Sequence, residues 1–230
     1  MKRNTTILTL VFLCTCFPGF VFAYHILNSS SGGRFVFIKW KNTPIDFRVD
    51  GGTLEGKDGI VVVEDACDEW NRVPTARTLC GSLTVLPMDI TAANFDTLPL
   101  LNDGIIIFDE TGGILSSLGL SANTLGIGIT LSNTATGEIT DALIILNGSI
   151  PSSKTTDLLS TTVHEFGHVW GLAHTAIGGI NTANNTPGLD PIDPSAIPTM
   201  FPFNNPIDDT FGRTLEDDDI AGISLLYPQN

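Results

Sequence analysis

Twelve residues constrain this chain more than any others: VHEFGHVWGLAH, at positions 163–174, holds three of its four histidines. His164 and His168 are four apart, so on an α-helix they stack about 40° from one another around the axis. Leu159, Val163, Phe166 and Trp170 gather between about 200° and 260° on the same wheel, so the two histidines lie off the stripe that packs on a core. His174 would fall about 240° beyond His168 if the helix continued. It can join the other two only if the chain turns, and Gly171 stands where that turn is needed, because glycine enters the left-handed region without steric cost. The fold must supply a helix over residues 156–170, a break at Gly171 and a return.

Imidazoles at this spacing reach a common ion, and neutral imidazole nitrogen binds Zn2+ at about 2.0–2.1 Å. Three protein ligands leave a fourth position open, the arrangement of a catalytic rather than a structural zinc. Glu165 lies about 100° round the helix from His164 and can face that position without ligating. Its expected role is general base, moving a proton from an activated water to the leaving amine, with the ion as Lewis acid. The bland alternative is a solvated surface carboxylate. HExxH alone is a weak signal. Here Gly171 and His174 extend it, in a chain with only 23 glycines and 4 histidines among 230 residues.

The chain opens with Lys2 and Arg3, an apolar run over residues 7–22, and Val21, Phe22 and Ala23, a pattern that marks cleavage of a secretory leader. Residues 1–23 read as a signal peptide, so the mature protein is expected to begin near Tyr24 and to be secreted. The run spans 16 residues and contains Pro18 and Gly19, whereas a membrane-spanning helix needs about 20 apolar residues. No stable membrane insertion after cleavage is expected. Without the leader, 9 Lys and Arg stand against 25 Asp and Glu, a net charge of −16 that repels phosphate backbones and argues against nucleic acid as a partner. Cys14 and Cys16 leave with the leader. Cys67 and Cys80 remain, and an oxidising compartment favours one disulfide over two buried thiols. The acidic run Asp217, Asp218 and Asp219 suits either a calcium ion or a helix N-terminus.

Residues 34–50 alternate or run apolar and read as extended, broken at Asn42, Thr43 and Pro44. Asp58 is placed to cap a helix on which Val63, Ala66, Cys67 and Trp70 recur at helical spacing, with Pro74 beyond its end. Strands are predicted over 82–86, 104–108, 125–131 and 139–146, divided by turn-forming residues. Residues 175–213 show no period, and an irregular loop of that length is usually functional. A last helix over 215–227 is predicted to open with a capping box of Thr214 and Asp217 and to stop at Pro228. Strands with one helix among them, then two helices, give an α+β or α/β fold in one domain, residues 24–230. His25 reads as a loose terminal residue rather than a ligand.

Residues 164–174 match HExxHxxGxxH, and in this the chain resembles the metzincin metallopeptidases, within them the compact secreted matrixins. Thr199, Met200, Phe201 and Pro202 are similar to that family's Met-turn, and LEDDDIAGISLLY at 215–227 to its C-terminal helix. Trp70 in EDACDEWNRV, and ITDALIILN ahead of the histidine helix, also fit. The resemblance implies a zincin fold: a twisted, mainly parallel sheet with an antiparallel edge strand, an active-site helix and a C-terminal helix. It implies one catalytic zinc on His164, His168 and His174, Glu165 as base, Met200 packed beneath the site and Gly171 at the turn. It places Leu125, Gly126 and Ile127 on the edge strand that pairs with an extended protein or peptide substrate. Phe201, Pro202 and Phe203 would border the pocket for the side chain after the scissile bond.

The chain also departs from the family. Thr175 stands where matrixins have Ser and astacin-like enzymes Glu, and 26 positions separate His174 from Met200, more than in compact members. Between Tyr24 and the first predicted strand there is no cysteine-bearing pro-segment, and the histidines of a second, structural zinc are missing. The expected protein is a monomeric zinc endopeptidase that hydrolyses peptide bonds. One competing reading is a catalytically silent metal-binding recognition or adhesion module, which would have no need of Glu165. Zinc hydrolysis of a non-peptide amide or ester is not separated from the first by the motif.

Overall fold

Runs of isoleucine and valine bounded by glycine, aspartate and asparagine build the centre of the protein. In the computed structural model, which describes residues 25–31, 34–153, 156–175, 197–203 and 208–229, the strands before the first helix are β1 (His25–Ile26), β2 (Asn28–Ser31), β3 (Arg34–Phe37), β4 (Ile45–Val49), β5 (Thr53–Leu54) and β6 (Lys57–Asp58). There follow α1 (Ile60–Asn71), β7 (Cys80–Val85), β8 (Gly104–Asp109), α2 (Gly113–Ser117), β9 (Gly126–Ser132) and β10 (Ile139–Asn147). The last elements are α3 (Leu158–Val169), β11 (Leu172–Ala173) and α4 (Asp217–Leu226). The predicted signal peptide lies outside the described residues. No helix among them is long and apolar enough to cross a membrane.

The main sheet has the order β7-β4-β8-β10-β9. Its first four strands run parallel, and β9 pairs antiparallel with β10 at the edge. The fold is therefore mixed α/β, with a mostly parallel sheet and one antiparallel edge strand. β8 is buried along its whole length, because helices and loops cover both faces of a central parallel strand. On one face Phe47 meets Phe166 and Trp170 edge-on, with ring centroids 5.2 and 5.7 Å apart, in the core that α1, α3 and α4 close. On the other face Ile105, Ile107 and Ile145 pack with Ile90, Ile114 and Leu115.

α1 buries Val63, Ala66, Cys67 and Trp70, the stripe its sequence predicts. Its N-cap is Gly59, not Asp58; the Asp58 carboxylate instead accepts the Ile60 N–H at 3.1 Å. Cys67 is disulfide-bonded to Cys80, with Cα atoms 5.6 Å apart, which ties α1 to β7. That bond agrees with an oxidising compartment. His25 is not a loose terminal residue. In β1 it pairs with Ala173 of β11, beside the histidine at 174.

Candidate metal centre

Both ends of α3 are held by groups distant in sequence. At its start Asp157 is the N-cap, and its carboxylate accepts the Ser160 N–H at 2.8 Å. Arg213 forks onto the same carboxylate at 2.9 and 2.5 Å, and Asp209 accepts the Asp157 N–H at 2.9 Å. At its end the orphan carbonyls find donors from three segments. The Trp40 indole donates to Val169 O at 2.9 Å, the Tyr227 hydroxyl to Trp170 O at 2.7 Å, and the Leu27 N–H to Gly171 O at 2.8 Å. Gly171 then turns the chain at φ +100°, where an added Cβ would stand 2.1 Å from Ile38 O. Left-handed backbone and lack of space both require glycine there. β11 leaves this turn paired with β1, and its next residue is His174.

The turn brings the three imidazoles together. Ring centroids are 4.8 Å apart for His164 and His168, 5.2 Å for His164 and His174, and 4.7 Å for His168 and His174. Their ligand nitrogens all lie within 4.8 Å of one another, and among the described residues no other group of three or more His, Cys, Asp or Glu side chains converges in this way. His164 Nδ1 lies 2.6 Å from Thr199 O and His168 Nδ1 lies 3.0 Å from Leu172 O. A carbonyl oxygen only accepts, so both Nδ1 atoms carry the proton and both Nε2 atoms present lone pairs. His168 Nε2 faces His174 Nε2 at 3.1 Å, a spacing that two ligands of one tetrahedral ion adopt. Burial lowers the pKa of all three, that of His164 to about 4, so each is neutral at physiological pH, as a metal requires. The donor set therefore fits a single divalent ion.

Glu165 is buried, and desolvation lifts its carboxyl to about 8 against the opposing bond from the Gly128 N–H. A cation on the adjacent histidines would draw that value down. Edge strand β9 lies directly against α3 because Gly126 and Gly128 carry no side chains. A Cβ on Gly128 would stand 2.6 Å from Glu165 O and 2.9 Å from His168 Cβ, and one on Gly126 would stand 3.0 Å from Glu165 Cγ.

Met200 lies under the helix. A Cβ on Gly167 would meet Met200 Sδ at 2.1 Å, and Met200 is buried. The turn at 199–200 is fixed by the first turn of α4: Asp219 accepts the N–H groups of Thr199 and Met200 at 2.9 and 3.2 Å, and Glu216 accepts that of Thr199 at 3.0 Å. Met200 O accepts the Thr175 N–H at 2.8 Å, which ties the residue after His174 to the same turn. The capping box of α4 is Glu216 with Asp219, in place of Thr214 with Asp217. Asp217, Asp218 and Asp219 form the first turn of that helix, the second of the two roles their sequence allows.

A cleft of about 640 Å³ runs past His164, Glu165 and His174. Leu125, Gly126, Phe201, Pro202 and Phe203 line it, as the sequence resemblance implies. Ile127 does not. It packs on the opposite face of the sheet against the isoleucine cluster, since alternate residues of a strand face opposite sides. Thr161, Ser160, Asp209 and Gly212 also line the cleft and were not singled out from the sequence. Their only sequence signal is position, one helical turn or more ahead of His164 and just past the Met200 turn. No protein-family model matches this chain and no curated protein matches it.

Proposed function

We propose that residues 24–230 form a secreted zinc-dependent endopeptidase of the metzincin type, similar to a compact matrixin. The observation that carries this reading is the convergence of His164, His168 and His174 around one point, with Glu165 beside them in a cleft bordered by β9, the edge strand of the main sheet among the described residues. The three Nε2 atoms would hold the ion, which supplies Lewis acidity toward a carbonyl oxygen and a water molecule. Glu165 accepts the proton of the attacking water and returns it to the departing amine. The Gly128 N–H fixes the carboxylate in place for that transfer. β9, with no strand on its outer edge among the described residues, offers backbone donors and acceptors to an extended chain, which suits a peptide better than a compact ester. Thr199 O and Leu172 O orient the first two imidazoles and fix their tautomers.

The test is incubation of the purified mature protein with casein and with gelatin, with and without a chelator, beside a Glu165→Ala variant. Expected are cleavage by the wild type, loss of cleavage with chelator, and a variant that keeps its zinc and cuts nothing. Cleavage by the variant would remove Glu165 from the mechanism. A wild type that holds zinc and cuts no protein would favour the recognition module instead.

A further inference from the structure

Asn147 ends β10 as a buried asparagine, and the proposed hydrolysis gives it no task. Its side chain joins two chain segments that both run into the cleft. Toward the first, its Nδ2 donates to Thr124 O at 2.8 Å, and its backbone N–H donates to Leu125 O at 2.8 Å. Toward the second, its Oδ1 accepts the Ser149 N–H at 3.0 Å and the Ser149 hydroxyl at 2.5 Å. Thr124 and Leu125 line the cleft, and so does Ile150, the residue after Ser149. An amide carries a donor and an acceptor in one rigid group, so this single residue ties both segments at once.

These bonds also decide where the outer edge of β9 begins. Leu125 O points to β10, so the alternation of an antiparallel pair turns the N–H and C=O of Gly126 and Gly128 to the outer edge. The bond from the Gly128 N–H to Glu165 agrees with that direction. The same alternation would turn Thr124 O outward as well, but the Asn147 amide holds it inward. The row of outward groups therefore starts at Gly126. Glu165 packs against Gly126 and Gly128, so Thr124 and Leu125 stand just to one side of the reacting point along the strand.

We infer that Asn147 is a positioning residue for an extended peptide, holding Thr124 and Leu125 where they meet the substrate on one side of the bond that is cut. This rests on the peptidase reading and is separable from it. The test takes the zinc-loaded full mature protein and a peptide cut at one bond, with several residues on each side of the cut. Asn147→Ala should raise KM about tenfold with kcat within about twofold, the size and the split expected when a backbone hydrogen bond to the bound peptide is lost from ground and transition states alike. Zinc affinity should stay at wild type, which shows that the variant is folded. Ser149→Ala, which leaves the Thr124 bond in place, should keep KM within about twofold of wild type. Shortening the peptide residue by residue should erase the difference between Asn147→Ala and wild type from one end only. Should the alanine variant not fold, Asn147→Asp carries the same expectation, because an ionised carboxylate still accepts from Ser149 and has no donor for Thr124 O. A fall in kcat at constant KM, a rise in KM shared by Ser149→Ala, or a difference that survives shortening from both ends overturns the inference and leaves the peptidase standing. Loss of zinc binding in both Asn147 variants makes the residue a part of the fold rather than of the cleft, and overturns it too. A wild type that holds zinc and cuts no peptide overturns the peptidase reading and this inference with it.

Discussion

Replacing Gly171 with alanine probes the turn that brings His174 to His164 and His168. At φ +100° a residue with a Cβ carries a penalty of about 1–2 kcal/mol. The added Cβ would also stand 2.1 Å from Ile38 O and 3.4 Å from Leu226 Cδ1. A backbone oxygen cannot swing aside as a side-chain tip can. The Ile38 N–H is bonded to Leu27 O, and the Leu27 N–H to Gly171 O, so any shift is passed to the pairing of β1 with β11. Overpacking of this kind adds about 1–3 kcal/mol, for a total destabilisation of roughly 2–5 kcal/mol. In thermal unfolding with chelator present, so that metal binding adds nothing, that is a fall in Tm of roughly 5–15 °C for a domain of this size. Gly119→Ala is the control. Its φ is +77° with nothing within 4 Å of the added Cβ, so it carries only the conformational part. Since His174 follows three residues after the turn, Gly171→Ala should also weaken zinc binding by about 10–100-fold in competition with a chromogenic chelator, at least the effect of disturbing an outer-shell partner. A Gly171→Ala protein as stable as Gly119→Ala, and with wild-type zinc affinity, would refute the argument that this turn returns the third ligand.

Three further outcomes follow from the geometry. Tyr227→Phe removes the hydroxyl that donates to Trp170 O and accepts the Trp40 N–H at 3.0 Å, leaving two buried groups unpaired; urea unfolding should show a loss of about 2–4 kcal/mol. Glu216 is raised from 4.5 to about 8, first by burial and then by the charge of Asp219, so between those pH values the folded protein holds a proton that the unfolded chain has released, and stability from this group falls as pH rises. Between pH 5 and 8 Glu216→Gln should lose less stability than wild type by about 1–2 kcal/mol, a figure reduced for partial exposure; an equal loss would contradict the assignment. Gly128→Ala should push β9 away from α3 and lower kcat/KM toward casein about tenfold or more, while zinc content measured by elemental analysis stays at wild type.

Much of this arrangement was legible in the sequence because it rests on local periodicity. The stripe of α1, the off-core position of His164 and His168, the break at Gly171 and the apolar runs of β8 and β10 all follow from spacing within one element. What escaped depends on partners far away. β1 and β11 are two residues each, too short for any period, and exist because His25 and Ile26 meet Ala173 and Leu172 across nearly 150 positions. Thr214 and Asp217 have the spacing of a capping box, yet Glu216 takes the cap because its carboxylate and that of Asp219 also bind the turn at 199–200. Ile127 and Gly126 are neighbours on one strand, and only the position of α3 decides which of them meets the cleft. Asp157, Arg213 and Asp209 form a corner from residues up to 56 positions apart, which no local pattern announces.

The proposed chemistry needs the three neutral imidazoles, which converge on one point, to hold one ion there. X-ray absorption at the zinc edge, on mature protein equilibrated with one equivalent of zinc at neutral pH, tests it most directly. The expected spectrum shows one tightly held zinc with three imidazole nitrogens at about 2.0–2.1 Å and a lighter oxygen neighbour, and His174→Ala loses one imidazole from that shell. Protein that takes up no zinc, or zinc whose imidazole count is unchanged in His174→Ala, would contradict the account.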